Sequence, residues 1–133
     1  MLSGVADTHA LIWYLYDDPR LSATARAFME QAAAEDDQIG VSPISLVEVV
    51  FLTERGRIQP QTFARLLTAL DRSNSVLVGV PCDRHVAAAL SRINRQHIPE
   101  LPDRILAATA LFLGIPLISR DRRIRSASIP TIW

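Results

Sequence analysis

Apolar positions along the chain switch repeatedly between short continuous runs and stretches with helical spacing, the pattern of strands alternating with helices. Met1 to Asp7 reads as a short strand, weakened by Gly4 and ending at Asp7. Thr8 to Tyr16 follows as an apolar helix carrying Trp13, Tyr14 and Tyr16, and Asp17-Asp18-Pro19 breaks it. Ser22 is placed to cap an alanine-rich helix from Ala23 to Glu35. Ile39 to Ser42 is a second strand, and Ser42-Pro43 then supplies a cap followed by proline in a first helical turn.

The helix from Pro43 to Arg55 is unusual. Ile44, Val47, Glu48 and Phe51 fall at i, i+3, i+4 and i+7 and share a face, while Leu46, Val49 and Val50 make the opposite side apolar too. Such a helix is expected in the core or at a partner surface. Gly56 ends it. Gln61 to Asp71 predicts a helix with a Phe63, Leu66, Leu67 and Leu70 stripe, and Val76 to Val80 a third strand. Asp83 to Arg95 predicts a helix with Val86, Ala89, Leu90 and Ile93 inward, followed by a proline-containing loop from His97 to Leu101. Pro102 opens the next helix and Gly114 closes it; Ile115 to Ile118 is a strand, Arg122 to Ser126 a basic turn, and Pro130 to Trp133 a last strand. The alternation implies one α/β domain built on a parallel sheet with right-handed crossovers.

Composition narrows the class. A chain of 133 residues with 49% hydrophobic and 21% charged residues is long enough for an ordinary core. No apolar run reaches the length of a membrane span and no basic leader precedes one, so no membrane role is expected. The single Cys82 cannot form an internal disulfide, which suits a reducing cytoplasm. A formal net charge of zero gives no global attraction to nucleic acid, so such binding must use local patches. All 14 basic residues are arginine. That excludes a P-loop and Schiff-base chemistry, and weighs against a phospho-acceptor receiver domain.

Four acids carry the candidate chemistry: Asp7, Glu48, Asp103 and Asp121. Singly, each aspartate has an ordinary explanation. Asp7 could cap the helix after it, Asp103 could complement a helix dipole, and Asp121 could be a turn residue. Glu48 lies on an apolar stripe, where a carboxylate must be paired, protonated or metal-bound; a buried salt bridge to an arginine is its structural alternative. Jointly the pattern is stronger, because Asp7 and Asp121 follow strands that would be neighbours at a switch point, where open α/β sheets place ligands. Two carboxylates about 5 Å apart repel by roughly 3 kcal/mol at an effective dielectric of 20, so a gathering of four calls for cations. Oxygen ligands favour Mg²⁺ or Mn²⁺ over zinc. Arg104, Arg120, Arg122, Arg123 and Arg125 stand close to two of the acids, where they could grip phosphate or form a solvated face. His9 could reach substrate, while His85 and His97 have no partner at ligand spacing, and Trp13 and Tyr14 fit packing better than base stacking.

The chain resembles PIN-domain proteins, specifically VapC-type toxin ribonucleases. The resemblance is carried by Ala6-Asp7-Thr8-His9-Ala10-Leu11-Ile12-Trp13, Ser45-Leu46-Val47-Glu48-Val49-Val50, Pro102-Asp103-Arg104-Ile105 and Ile118-Ser119-Arg120-Asp121, in order along nearly the whole chain. It implies a three-layer fold with a parallel sheet ordered 3-2-1-4-5 between helices. It also implies a Mg²⁺ or Mn²⁺ site at Asp7, Glu48, Asp103 and Asp121, supported by Ser119. The activity expected is metal-dependent endonucleolytic cleavage of single-stranded regions of RNA, with water as the attacking group. Arg104, Arg120 and Arg122 are the expected RNA contacts. A cognate antitoxin is the implied partner, and the apolar surplus on Ile44 to Leu52 and Trp13 to Tyr16 predicts a homodimer. Two rival readings are a receiver-like Mg²⁺-binding signalling domain and a catalytically idle interaction module.

Overall fold

Local signals set most helix starts. The structure is a computed structural model, and it describes residues 1–127 and 129–133. Strand β1 (Leu2–Ala6) runs into helix α1 (Thr8–Leu15), whose first turn is capped by the Asp7 carboxylate accepting from the Ala10 N–H at 2.8 Å. Ser22 caps α2 (Ala23–Ala34) in the same way, through the Ala25 N–H. Strand β2 (Gln38–Val41) leads to Ser42, which caps α3 (Pro43–Glu54) with Pro43 in the first turn. Helix α4 (Thr62–Asp71), strand β3 (Leu77–Gly79) and the Asp83-capped α5 (Arg84–Leu90) follow. Helix α6 (Leu101–Leu113) has Pro102 in its first turn and stops at Gly114, whose φ of 68° is the left-handed conformation glycine adopts freely. Strand β4 (Leu117–Ile118), helix α7 (Arg122–Ser126) and strand β5 (Thr131–Ile132) complete the described elements.

The strands form a parallel sheet in the order β3-β2-β1-β4-β5. Alternate residues of each central strand face opposite layers. Ala6, Ile39 and Ile118 pack with Leu11, Met29 and Leu66 of α1, α2 and α4; Val5 and Leu117 pack with Val86, Leu106 and Ala110 of α5 and α6. Helix α3 joins the layers, since Leu46 and Leu52 pack against the first cluster and Ile44 against the second. The chain builds outward from β1 to β3, then crosses back to add β4 on the other side. The switch point therefore lies between β1 and β4, where Asp7 N–H donates to the Ile118 carbonyl at 3.0 Å.

Several expectations change. Gly4 marks an irregularity in β1, whose pairing with β2 shifts register between Leu2 and Gly4, yet the strand continues; a side chain there would meet Phe28 Cε1 at 3.1 Å and the Pro116 carbonyl at 3.2 Å, so the glycine also permits close packing. Helix α5 ends at Leu90, short of Arg95, and the chain goes on in tighter i to i−3 turns, with the Ser91, Arg92 and Ile93 N–H groups donating to the Ala88, Ala89 and Leu90 carbonyls. The basic stretch after Asp121 is the short helix α7 rather than a turn. Strand β4 is limited to Leu117 and Ile118, since Pro116 has no N–H for the ladder. Helix α3 buries its Ser45 and Val49 side, leaving Val47, Val50 and Phe51 exposed at 49%, 39% and 56%. In the aromatic run Trp13 to Tyr16, Trp13 is buried and Tyr14 and Tyr16 are half-buried against the core.

Candidate metal centre

The switch point opens into a cleft of about 490 Å³ at the C-terminal ends of β1 and β4. Asp7, Glu48, Asp103 and Asp121 all line it. They come from four elements: the end of β1, the second turn of α3, the first turn of α6 and the residue capping α7. Residues up to 114 positions apart thus meet because parallel crossovers return each strand's C-terminal edge to the same side.

The strand-edge acids are fixed by main chain. Asp7 Oδ1 accepts from Ala10 N–H, and the Ser119 hydroxyl stands close enough to its carboxylate to favour the charged form. Enclosure by protein pushes the Asp7 carboxyl above its ordinary value; Ser119, the bond from Ala10 and the nearby His9 oppose that rise, and Asp121 adds to it. Ser119 is fully buried, and its Oγ accepts from the Asp121 N–H at 3.1 Å, so one hydroxyl stands beside both acids. Asp121 Oδ1 accepts from Arg123 N–H at 2.8 Å, and Arg123 Nη2 lies 3.3 Å from Asp121 Oδ2 and 3.9 Å from Asp103 Oδ2.

Asp103 registers the crowding. Its carboxyl is pushed up to about 6, first by desolvation and then by the charges of Asp121, Glu48, Glu100 and Asp7. Glu48 has no arginine partner among the described residues. Its Oε1 instead lies 2.5 Å from Thr8 Oγ1, which removes the buried salt bridge as the explanation for a carboxylate on α3.

The remaining polar residues divide. Arg120 and Arg122 line the cleft, and the Arg120 guanidinium lies 4.7 Å from the Trp13 ring centroid, a cation–π contact at the lip. Arg104 does not line it and is withdrawn as an RNA contact: Nη2 points to the carbonyls of Leu90 and Ile93 at 3.4 and 3.3 Å, stitching α6 to the turn after α5. Sequence reasoning missed Glu100, a fifth carboxylate one turn before Asp103 that also lines the cleft, although the i, i+3 spacing was a usable signal. It also missed Thr8 as the partner of Glu48, and Ser45 as the hydroxyl packed against Thr8.

The donor set suits a hard divalent cation. Among the described residues no three Asp, Glu, His or Cys side chains already close around one point. The carboxylates instead border an open cleft, which suits Mg²⁺, an ion that keeps several waters and takes few protein oxygens. The repulsion that adds to desolvation in raising Asp103 is the feature a bound cation would relieve.

A sequence model of the PIN domain matches residues 5–130, almost the whole chain. The chain belongs to the PIN domain family. Over 136 aligned positions it is 30% identical to Ribonuclease VapC22 of Mycobacterium tuberculosis, with full coverage of both chains. The PIN fold recurs in VapBC2 of Rickettsia felis bound to a promoter DNA fragment, at TM-score 0.72 and 14% identity, covering 98% of this chain and 97% of that one. It recurs in a toxin–antitoxin complex from Klebsiella pneumoniae, at TM-score 0.66 and 21% identity, covering 98% and 97%. Both structural similarities support the order 3-2-1-4-5 and the helical layers of a PIN fold.

Proposed function

We propose that this chain is a metal-dependent endoribonuclease, the toxin of a VapC-like toxin–antitoxin pair, consisting of a single PIN domain that acts in the cytoplasm. One observation carries the metal-dependent part: four carboxylates from four separate elements line the switch-point cleft, and their charges help raise Asp103 to about 6. Asp7, Glu48, Asp103 and Asp121 would hold Mg²⁺, with Mn²⁺ as substitute, and Ser119 supports the site from beside Asp7 and Asp121. When bound, the ion supplies an activated water and offsets charge on the phosphate. Arg120 and Arg122 at the lip are placed to hold flanking phosphates of single-stranded RNA. The receiver-like alternative is disfavoured because the sequence has no lysine to read a phosphoryl group.

The test is cleavage of RNA by the full chain with Mg²⁺, Mn²⁺, Zn²⁺ or EDTA. Cleavage with the first two, inhibition or no support by zinc, and loss in EDTA are expected. Undiminished cleavage in EDTA, with contaminating nuclease excluded, overturns the proposal; metal binding without cleavage favours an idle interaction module. No described helix is long and apolar enough to cross a membrane. The partner proposed is a cognate antitoxin protein covering the cleft, consistent with relatives solved as toxin–antitoxin complexes. A homodimer is proposed through Val47, Val50 and Phe51 of α3, the exposed apolar face that remains now that Trp13 is found buried. Light scattering should give a dimer, and Phe51→Glu a monomer.

A further inference from the structure

Glu48 differs from the other three acids in reaching the cleft on a long side chain from the middle of a helix, where no backbone N–H is free to hold it. Its restraint comes from two buried hydroxyls. Thr8 Oγ1 lies 2.5 Å from Glu48 Oε1 and 3.0 Å from Ser45 Oγ. Thr8 is 3% exposed and Ser45 fully buried, so solvent does not compete for these bonds.

Counting protons fixes their direction. A hydroxyl carries one hydrogen, and an ionised carboxylate only accepts. If Thr8 donated to Ser45, its lone pairs would face Glu48 Oε1 at 2.5 Å with no hydrogen between them, a repulsive contact. Thr8 therefore gives its hydrogen to Glu48, and the Ser45 hydroxyl packs 3.0 Å from the Thr8 oxygen. The Glu48 Oε2 atom makes no protein hydrogen bond among the described residues. Ser45 and Glu48 lie one turn apart on α3, while Thr8 directly follows Asp7. The bond from Thr8 to Glu48 thus ties the helix carrying one acid to the strand end carrying another, while Ser119 stands beside both Asp7 and Asp121.

We propose that Thr8 and Ser45 are positioning residues for the metal site: the Thr8 hydroxyl, buttressed by Ser45, holds one Glu48 carboxylate oxygen so that the other is presented to the cation. This rests on the metal-site reading of the cleft. Hydroxyls that orient a ligand without touching the ion are worth roughly 10–100-fold in metal affinity.

The experiment is titration of the full-length wild type and variants with Mn²⁺ alone, without RNA, followed by calorimetry or by the electron paramagnetic resonance of free Mn²⁺. Thermal melting in EDTA serves as the check on folding. Thr8→Val keeps shape and removes the donor, and should weaken Mn²⁺ binding about 10–100-fold. Thr8→Ser should restore affinity to nearly wild type, and Ser45→Ala should cause a smaller loss. A purely structural role for Thr8 would lower the melting point of Thr8→Val yet leave Mn²⁺ affinity of the folded protein unchanged, and that result overturns the proposal. So does a Thr8→Ser variant as weak as Thr8→Val, since the methyl and not the hydroxyl would then matter. If Thr8→Val fails to fold, Ser45→Ala decides, and wild-type affinity there overturns the proposal. Wild-type protein that binds Mn²⁺ but cuts no RNA removes the nuclease reading and leaves the positioning result standing; wild-type protein that binds no Mn²⁺ removes both.

Discussion

Asp7 and Asp121 stand at the sheet edge, Glu48 and Asp103 stand on helices, and the two pairs are held by different chemistry. The edge pair caps helices: Asp7 accepts from Ala10 N–H and Asp121 from Arg123 N–H, each at 2.8 Å, and Ser119 lies between them. Their placement follows from backbone geometry and serves the fold whether or not a cation is present. The helix pair has no backbone donor. Glu48 rests on Thr8, and Asp103 has only Arg123 at 3.9 Å while four other carboxylates push on it. Both pairs should therefore be needed for metal, while losing a capping bond should cost fold stability only in the edge pair.

The largest effect tests what the two pairs share. Asp7→Asn and Asp103→Asn should each reduce RNA cleavage by at least about a hundredfold, read in a Mg²⁺-containing assay. Their stabilities should then separate them. Asp103→Asn removes one member of a repulsive cluster and should raise the melting point in EDTA at pH 7. Asp7→Asn should change it less, because asparagine can still cap α1 while lost repulsion and altered bonding to Ser119 offset each other. Full activity in either variant returns that aspartate to a capping role, and a large fall in melting point marks it as structural.

Next in size is Glu48→Gln. A glutamine oxygen still accepts from Thr8, so urea unfolding in EDTA should change by less than about 1 kcal/mol, while stabilisation by Mg²⁺ should fall. A buried arginine pair would instead have cost about 3–5 kcal/mol. A strongly destabilised variant whose Mg²⁺ response matches wild type would take Glu48 out of the site.

A gentler effect is the pH dependence of the metal-free protein. The Asp103 carboxyl rises from 3.8 unfolded to about 6 folded, so between those values the folded state holds a proton that the unfolded state has released. Its contribution to stability is present below about pH 4 and is lost as pH climbs towards 6. Melting in EDTA across that window should show the decline, and Asp103→Asn should flatten it. A slope identical in wild type and variant would assign the effect elsewhere. A comparably small change is expected from Ser119→Ala, about 1 kcal/mol of stability measured by urea unfolding, since the capping bonds of both edge acids remain.

Much of this was legible along the chain because the signals are local. A cap acts within three residues, so Asp7, Ser22, Ser42 and Asp83 marked helix starts, as Pro102 and Gly114 marked the bounds of α6. Strand alternation gave a parallel sheet, and the order of its strands came with the PIN-like motifs. The four acids were visible as residues, but their meeting depends on crossovers that no local spacing encodes. The side of α3 that faces outward was decided by packing, since a helix apolar all round has no periodicity to choose between Val49 and Phe51. Arg104 sits beside Asp103 in sequence yet turns towards Leu90 and Ile93, because successive helical residues point about 100° apart. The bond from Thr8 to Glu48 spans 40 positions and exists only because β1 and β2 pair in parallel, setting the helix that follows each strand at the same edge of the sheet.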